Sequence, residues 1–247
     1  MVTAFAAFFG RRFAMLLEVI ALTPEDARQA AASGADRIEL VSVIEEGGLT
    51  PALQFAEEIT AESAIPVHVM IRPHSRSFRY SEEDMELMLG SMKELRRFRL
   101  GAFVLGVLTA ERTVDEEKLK RLLDAADGVP VTFHRAFDEA RNLEEAYETL
   151  AKHPLIRTVL TSGGMPSVLD AQHQIAKLVR LSGSPGSAPE VLAGSGLTPE
   201  TVADFVRRTG VRAVHFGSGV RQNGKAAAPI DPLRMAAVLA ALHPEVK

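Results

Sequence analysis

Acidic, imidazole and guanidinium side chains recur at every second position of short β-branched runs, and that spacing is where the chemistry in this sequence lies. Glu18 stands between Leu17 and Val19, Arg37 and Glu39 flank Ile38, and His68, Met70 and Arg72 alternate with Val69 and Ile71. Thr132 and His134 flank Phe133, and His215 stands between Val214 and Phe216. In a strand, period two selects one face, so each run sends its polar set to one side and its apolar set to the other. A buried ionised group without a partner costs several kcal/mol, so these groups must pair with each other, bind water or meet a ligand.

Glu18, Glu39 and His134 are the candidates for acid–base work. His68, Arg72, Thr132, Arg135, Ser162, Gly194, His215 and Gly217 are candidates for holding a ligand. Arg72 and His134-Arg135 fall at the ends of their runs, and a guanidinium there suits a carboxylate or phosphate. Gly194-Ser195-Gly196 and Gly217-Ser218-Gly219 could offer backbone amides to an anion, although glycine turns also end strands for steric reasons. Arg37 lies nearer its strand centre and reads as the structural partner of Glu18 or Glu39. Each Glu has a second reading as the group that orients a neighbouring Arg or His, and His68 and His215 have one as hydrogen-bonded core imidazoles. The loop His74–Tyr80 is basic, with Arg76 and Arg79 placed to reach an anion if it covers the mouth as a lid.

The elements that must position these groups are eight β-branched runs, at 15–21, 36–41, 65–71, 102–108, 129–133, 157–160, 190–193 and 213–216, alternating with helical periodicity. That alternation predicts a single-domain α/β (β/α)₈ barrel over 15–247, with ligands at the C-terminal ends of the strands. Residues 1–14 read as an extension ahead of the first strand. Thr23-Pro24, Thr50-Pro51, Ser81, Thr198-Pro199 and Asp231-Pro232 predict helix starts, and Gly34, Gly101 and Gly210 predict helix ends. Met85, Met88, Leu89, Met92 and Leu95 form one apolar helix face.

The 247 residues suit one such barrel, and the net charge of −4 argues against nucleic acid or an anionic membrane surface as the main partner. The chain contains no cysteine, which removes disulfides, thiolate metal ligands and cysteine nucleophiles together.

Leu17-Glu18-Val19, Gly34–Leu40, Glu46-Gly47-Gly48-Leu49-Thr50-Pro51, Ile65–Pro73, Val131–Asp138 and Leu160-Thr161-Ser162-Gly163 follow an order that resembles the CutC family over about residues 15–220. The resemblance implies a (β/α)₈ barrel, a cytoplasmic location, self-association as a homo-oligomer, and a role in copper homeostasis through copper-ion binding. It also implies cysteines where this chain has Ile20 and Val41, which leaves Met70 and His68 as the remaining candidates for copper. Cu(I) prefers soft sulfur, so weak copper binding is expected. The alternative is an enzyme that works without copper, doing acid–base chemistry on a small phosphorylated or carboxylated metabolite. A chain starting at Met15 should fold and melt within a few degrees of the full-length protein; an insoluble or much less stable product would make residues 1–14 part of the fold.

Overall fold

The computed structural model describes residues 15–243. Eight parallel strands close into a barrel in chain order: β1 (Leu16–Ala21), β2 (Arg37–Leu40), β3 (Val67–Met70), β4 (Ala102–Leu105), β5 (Val131–Phe133), β6 (Ile156–Thr161), β7 (Glu190–Gly194) and β8 (Ala213–Phe216). Among the described residues eight α-helices follow them: α1 (Pro24–Ala32), α2 (Leu53–Glu62), α3 (Glu82–Leu95), α4 (Glu116–Ala126), α5 (Leu143–Ala151), α6 (Gln172–Ser182), α7 (Val202–Thr209) and α8 (Pro232–Leu242). This is the (β/α)₈ barrel that the alternation predicts. Residues 1–14, read above as an extension, lie outside the described residues.

The period-two pattern sorts the core. Leu17, Val19, Ile38, Leu40, Val69 and Phe103 belong to one continuous buried cluster that includes the inner helix faces, with Met85, Met88 and Met92 among them. The opposite parity fills the barrel interior. Strand register sets Glu18 beside both Arg37 and His215, and Glu39 beside His68. A slip of one residue in any of these strands would exchange buried carboxylates for aliphatic side chains, so the register is strongly specified.

Three of the five predicted helix starts hold. Thr23 caps α1 by accepting from the Asp26 amide, Ser81 and Asp84 form a reciprocal capping box on α3, and Asp231 accepts from the Leu233 and Arg234 amides of α8. The other two do not. The cap of α2 is Ala52, because the Thr50 hydroxyl is engaged with the Arg72 backbone, accepting from its N–H at 2.8 Å and donating to its carbonyl at 3.0 Å. The cap of α7 is Thr201 rather than Thr198.

Gly34 and Gly210 take the positive φ expected after a helix. Gly101 does not; a Cβ there would come within 2.9 Å of His68 Cδ2, so this glycine makes room for the imidazole. The run at 102–108 leaves the sheet after Leu105, since β5 offers no partner past Phe133.

Arg221 is among the largest fully buried side chains. It donates to the Ile20 carbonyl at 2.8 Å, to Asp26 at 2.9 Å and to the Ala228 carbonyl at 2.6 Å, fastening the segment after β8 to the exit of β1 and to α1. Arg221→Leu strands the Asp26 carboxylate and should cost about 3–5 kcal/mol of stability, measured by urea unfolding; a loss below about 1 kcal/mol would show that water replaces the guanidinium.

Candidate functional site

At the centre of the barrel one carboxylate gathers three basic side chains. Glu18 is 1% exposed. Its Oε2 accepts from Arg37 Nε at 2.5 Å and lies 3.5 Å from His68 Nδ1, while its Oε1 lies 2.7 Å from His215 Nδ1. Burial alone would raise the Glu18 pKa, but the Arg37 charge, the His215 hydrogen bond and the nearby imidazoles together hold it well below the usual carboxylate range. Glu18 is therefore an anion, and an anion can only accept, which puts a proton on His215 Nδ1.

The far side of the His215 ring faces Glu39, with Nε2 3.9 Å from Oε2. Glu39 differs sharply from Glu18. Burial and the negative charge of Glu18 outweigh the attraction of His215 and Arg37 and push Glu39 up to about 7, and its Oε1 has no hydrogen-bond partner. Two carboxylates a ring apart are thus driven in opposite directions, the pattern that separates a fixed anion from a proton-exchanging group. Burial disfavours the His215 cation, yet the Glu18 hydrogen bond and the two carboxylates raise its pKa. His68 goes the other way. Burial lowers it to about 4 against the pull of Glu18, so it is neutral, 3.5 Å from the Thr132 hydroxyl.

Above this layer a cavity of about 320 Å³ opens at the C-terminal strand ends. Its wall includes Glu39, Met70, Arg72, His134, Arg135 and His215, together with Gly217. These predicted residues are brought together. Glu18, His68 and Thr132 lie outside that lining and act through the buried network. Gly194 and Ser162 also lie outside it. A Cβ on Gly194 would meet His215 Cβ at 3.1 Å, so its role is space for that imidazole. Ser162 accepts from Arg135 Nη2 at 2.8 Å and donates to Asp138 at 2.9 Å.

The loop 74–80 differs from the lid expected of it. Arg76 pairs with Asp84, and neither Arg76 nor Arg79 lines the cavity, so these cations do not reach the mouth. The loop packs Phe78 against two residues of the cavity wall instead. Its ring lies 4.6 Å from the Arg72 guanidinium carbon and 4.9 Å from the His134 ring. Asp138 is a second residue that the strand pattern does not reveal. Its carboxylate accepts from Arg135, Thr161, Ser162 and the Gly164 amide, locking the loops after β5 and β6 together. Phe78 sits in a loop and Asp138 in the 3₁₀ turn Arg135–Glu139, where period two carries no information; the local cue for Asp138 is its i,i+3 spacing from Arg135.

The donors suit metals poorly. Ligand atoms of Glu18, Glu39 and His215 lie within 4.8 Å of one another, but both Glu18 oxygens are already engaged and Arg37 adds a positive charge beside them. For Cu(I), the positions at which the resemblance implies cysteine hold Ile20 and Val41. Ile20 and Val41 pack with Met70 and Val104 in one apolar cluster, leaving a single thioether where a set of soft ligands would be needed.

The fold and site define a (β/α)₈ barrel with a buried acid–base network beneath its C-terminal mouth. The CutC family profile matches residues 15–220, and the chain belongs to the CutC family. It is 39% identical over 205 residues to the family protein CutC of Caulobacter vibrioides, covering 83% of this chain and 82% of that one. The CutC of Photobacterium profundum is 36% identical over 200 residues, covering 81% and 80%. Among solved structures, a Streptococcus agalactiae CutC named for copper homeostasis superposes with a TM-score of 0.76 at 27% identity, covering 81% of this chain and 97% of that chain. A phosphoribosyl anthranilate isomerase from Thermococcus kodakaraensis, at 18% identity and a TM-score of 0.61 over 93% and 99% of the two chains, shares the fold.

The raised Glu39 pKa has a sign that can be tested. Between the unfolded value near 4.5 and the folded value of about 7, the native state holds a proton that the unfolded chain has released, so this group's contribution falls as pH rises through that window. Other groups also contribute to the pH dependence, so the readout is a difference: relative to wild type, Glu39→Gln should gain stability from pH 4.5 to 7, by an amount on the order of a few kcal/mol. Parallel stability–pH curves in chemical denaturation would place the Glu39 pKa near its ordinary value.

Proposed function

We propose that this CutC-family barrel binds a small anionic metabolite at its C-terminal mouth through Arg72 and exchanges a proton with it through Glu39. The reading is carried by Arg72. This buried guanidinium stands on the cavity wall, donates to the carbonyl oxygens of Glu46 and Gly48 at 3.1 and 3.2 Å and packs on the Phe78 ring; its Nε is unpartnered, and among the described residues no carboxylate pairs with it. A cation held out of water without a counter-ion is costly, and an incoming carboxylate or phosphate supplies one. Glu39, with one oxygen free and a pKa near 7, suits general acid–base catalysis at neutral pH. The cavity volume is near the lower end of the roughly 300–1,000 Å³ typical of small-molecule sites, which favours a compact ligand.

Copper homeostasis, after which the S. agalactiae relative is named, is the second reading. It is favoured by family membership, and Met70 with the His215 imidazole on the same wall are the donors open to the ion, whereas His68, the other candidate beside Met70, lies outside that wall. Ile20 and Val41 count against tight Cu(I) binding, as described above. Cytoplasmic residence and self-association belong to the same family-based proposal. Among the described residues no helix is long and apolar enough to cross a membrane.

A thermal-shift screen with inorganic phosphate, phosphorylated sugars and small carboxylates, run beside Cu(I) titration against a competing chelator, separates the readings. The expected result is stabilisation by an anion that Arg72→Gln abolishes, with no stoichiometric copper uptake. Tight one-to-one copper binding without any anion effect would move the function to copper.

A further inference from the structure

We infer that His134 is a fixed, neutral hydrogen-bond donor, and that the ligand carries a carbonyl oxygen beside its anionic group to receive that hydrogen bond. The inference rests on the anion-binding reading of Arg72 and extends it from charge to functional group.

The geometry decides the tautomer. His134 Nδ1 accepts from the Ala136 backbone N–H at 3.2 Å, so the proton of a neutral ring must be on Nε2. That Nε2 finds no acceptor among the described residues, although the side chain is 3% exposed and lines the cavity. The ring has little freedom to seek one elsewhere. Phe78 packs against it, the His134 amide is tied to the Leu105 carbonyl at 2.8 Å, and a Cβ on Gly106 would come within 2.6 Å of Nδ1. Burial, reinforced by the Arg72 charge, lowers its pKa to about 3. His134 is thus unsuited to the acid–base role that its position in the sequence suggests, and suited to polarising an oxygen.

A carboxylate or phosphate is matched by Arg72 alone. A neutral donor beside it matches an oxygen on which negative charge develops during reaction. With Glu39 on the same wall, the chemistry balances without an added reagent. Ionised Glu39 takes a proton from the carbon next to the carbonyl, the C–H electron pair becomes a C=C bond, and the carbonyl π pair moves onto oxygen as an enolate that accepts from His134 Nε2–H. In a ligand with a hydroxyl on the deprotonated carbon, Glu39 then returns the proton to the former carbonyl carbon, the hydroxyl oxygen forms the new C=O and its proton passes to the enolate oxygen, giving the isomeric carbonyl compound. The ligand class is a small phosphorylated or carboxylated α-hydroxy aldehyde or ketone.

Two measurements test this. Long-range proton–nitrogen NMR of the imidazoles should show one ring, identified by its loss in His134→Gln, that stays neutral with its proton on Nε2 between about pH 5 and 8. A cationic ring, or a proton on Nδ1, would overturn the inference. In binding, dihydroxyacetone phosphate should exceed glycerol 3-phosphate by about tenfold. The preference should vanish in His134→Phe while both compounds still bind, and His134→Gln, which keeps a donor, should recover part of it. Equal affinity of the wild type for the two compounds would refute the carbonyl and leave the anion site standing. Failure of both compounds and of inorganic phosphate to bind would remove the anion site and this inference together.

Discussion

The Glu18 carboxylate is the point on which the barrel interior turns. A fully buried anion must be matched from several directions, and Arg37, His68 and His215 are the matches. Their strands are hydrogen-bonded neighbours in a closed ring, so the register that completes this cluster also sets the pleat of β1, β2, β3 and β8. Once Glu18 is satisfied, the charge balance leaves Glu39 without a full complement of partners. The two carboxylates are chemically identical and differ only in what reaches them.

How far the sequence reveals this depends on the element. Strand parity places Glu39, His134 and His215 in the interior because period two follows from backbone geometry, and Arg72, at the end of its run, also reaches the cavity. The difference between Glu18 and Glu39 is not readable there, since it comes from distances between side chains on different strands. Thr50 shows how a local signal is overridden: Thr-Pro is a good helix start, but the hydroxyl bonds the Arg72 backbone 22 residues away. The basic loop 74–80 keeps its cations off the cavity wall and packs an aromatic ring against Arg72 and His134. The glycines divide similarly: Gly34 and Gly210 are backbone decisions visible in sequence, whereas Gly101 and Gly194 are spaces for imidazoles visible only in three dimensions.

Family membership fixes the scaffold and leaves the chemistry to the individual residues. Ile20 and Val41, where the resemblance implies cysteine, pack with Met70 and Val104 as an apolar part of the barrel interior. The polar half of the site has a separate support system in Arg37, Asp138 and the Thr50 hydroxyl, none of which takes part in that apolar cluster. The two halves are built from different contacts and can diverge independently.

That division gives the mouth a handedness. Ile20 and Met70 line the cavity along with Arg72, His134 and Glu39, so hydrocarbon and donors share one small chamber. A ligand anchored at Arg72 and pinned by a second contact has little rotational choice left, and a flat trigonal carbon within it presents a single face to the carboxyl group. Stereochemical discrimination would then come from the oily patch as much as from the charged residues, and widening that patch would blur the distinction between mirror-image products before it weakened the grip on the anion.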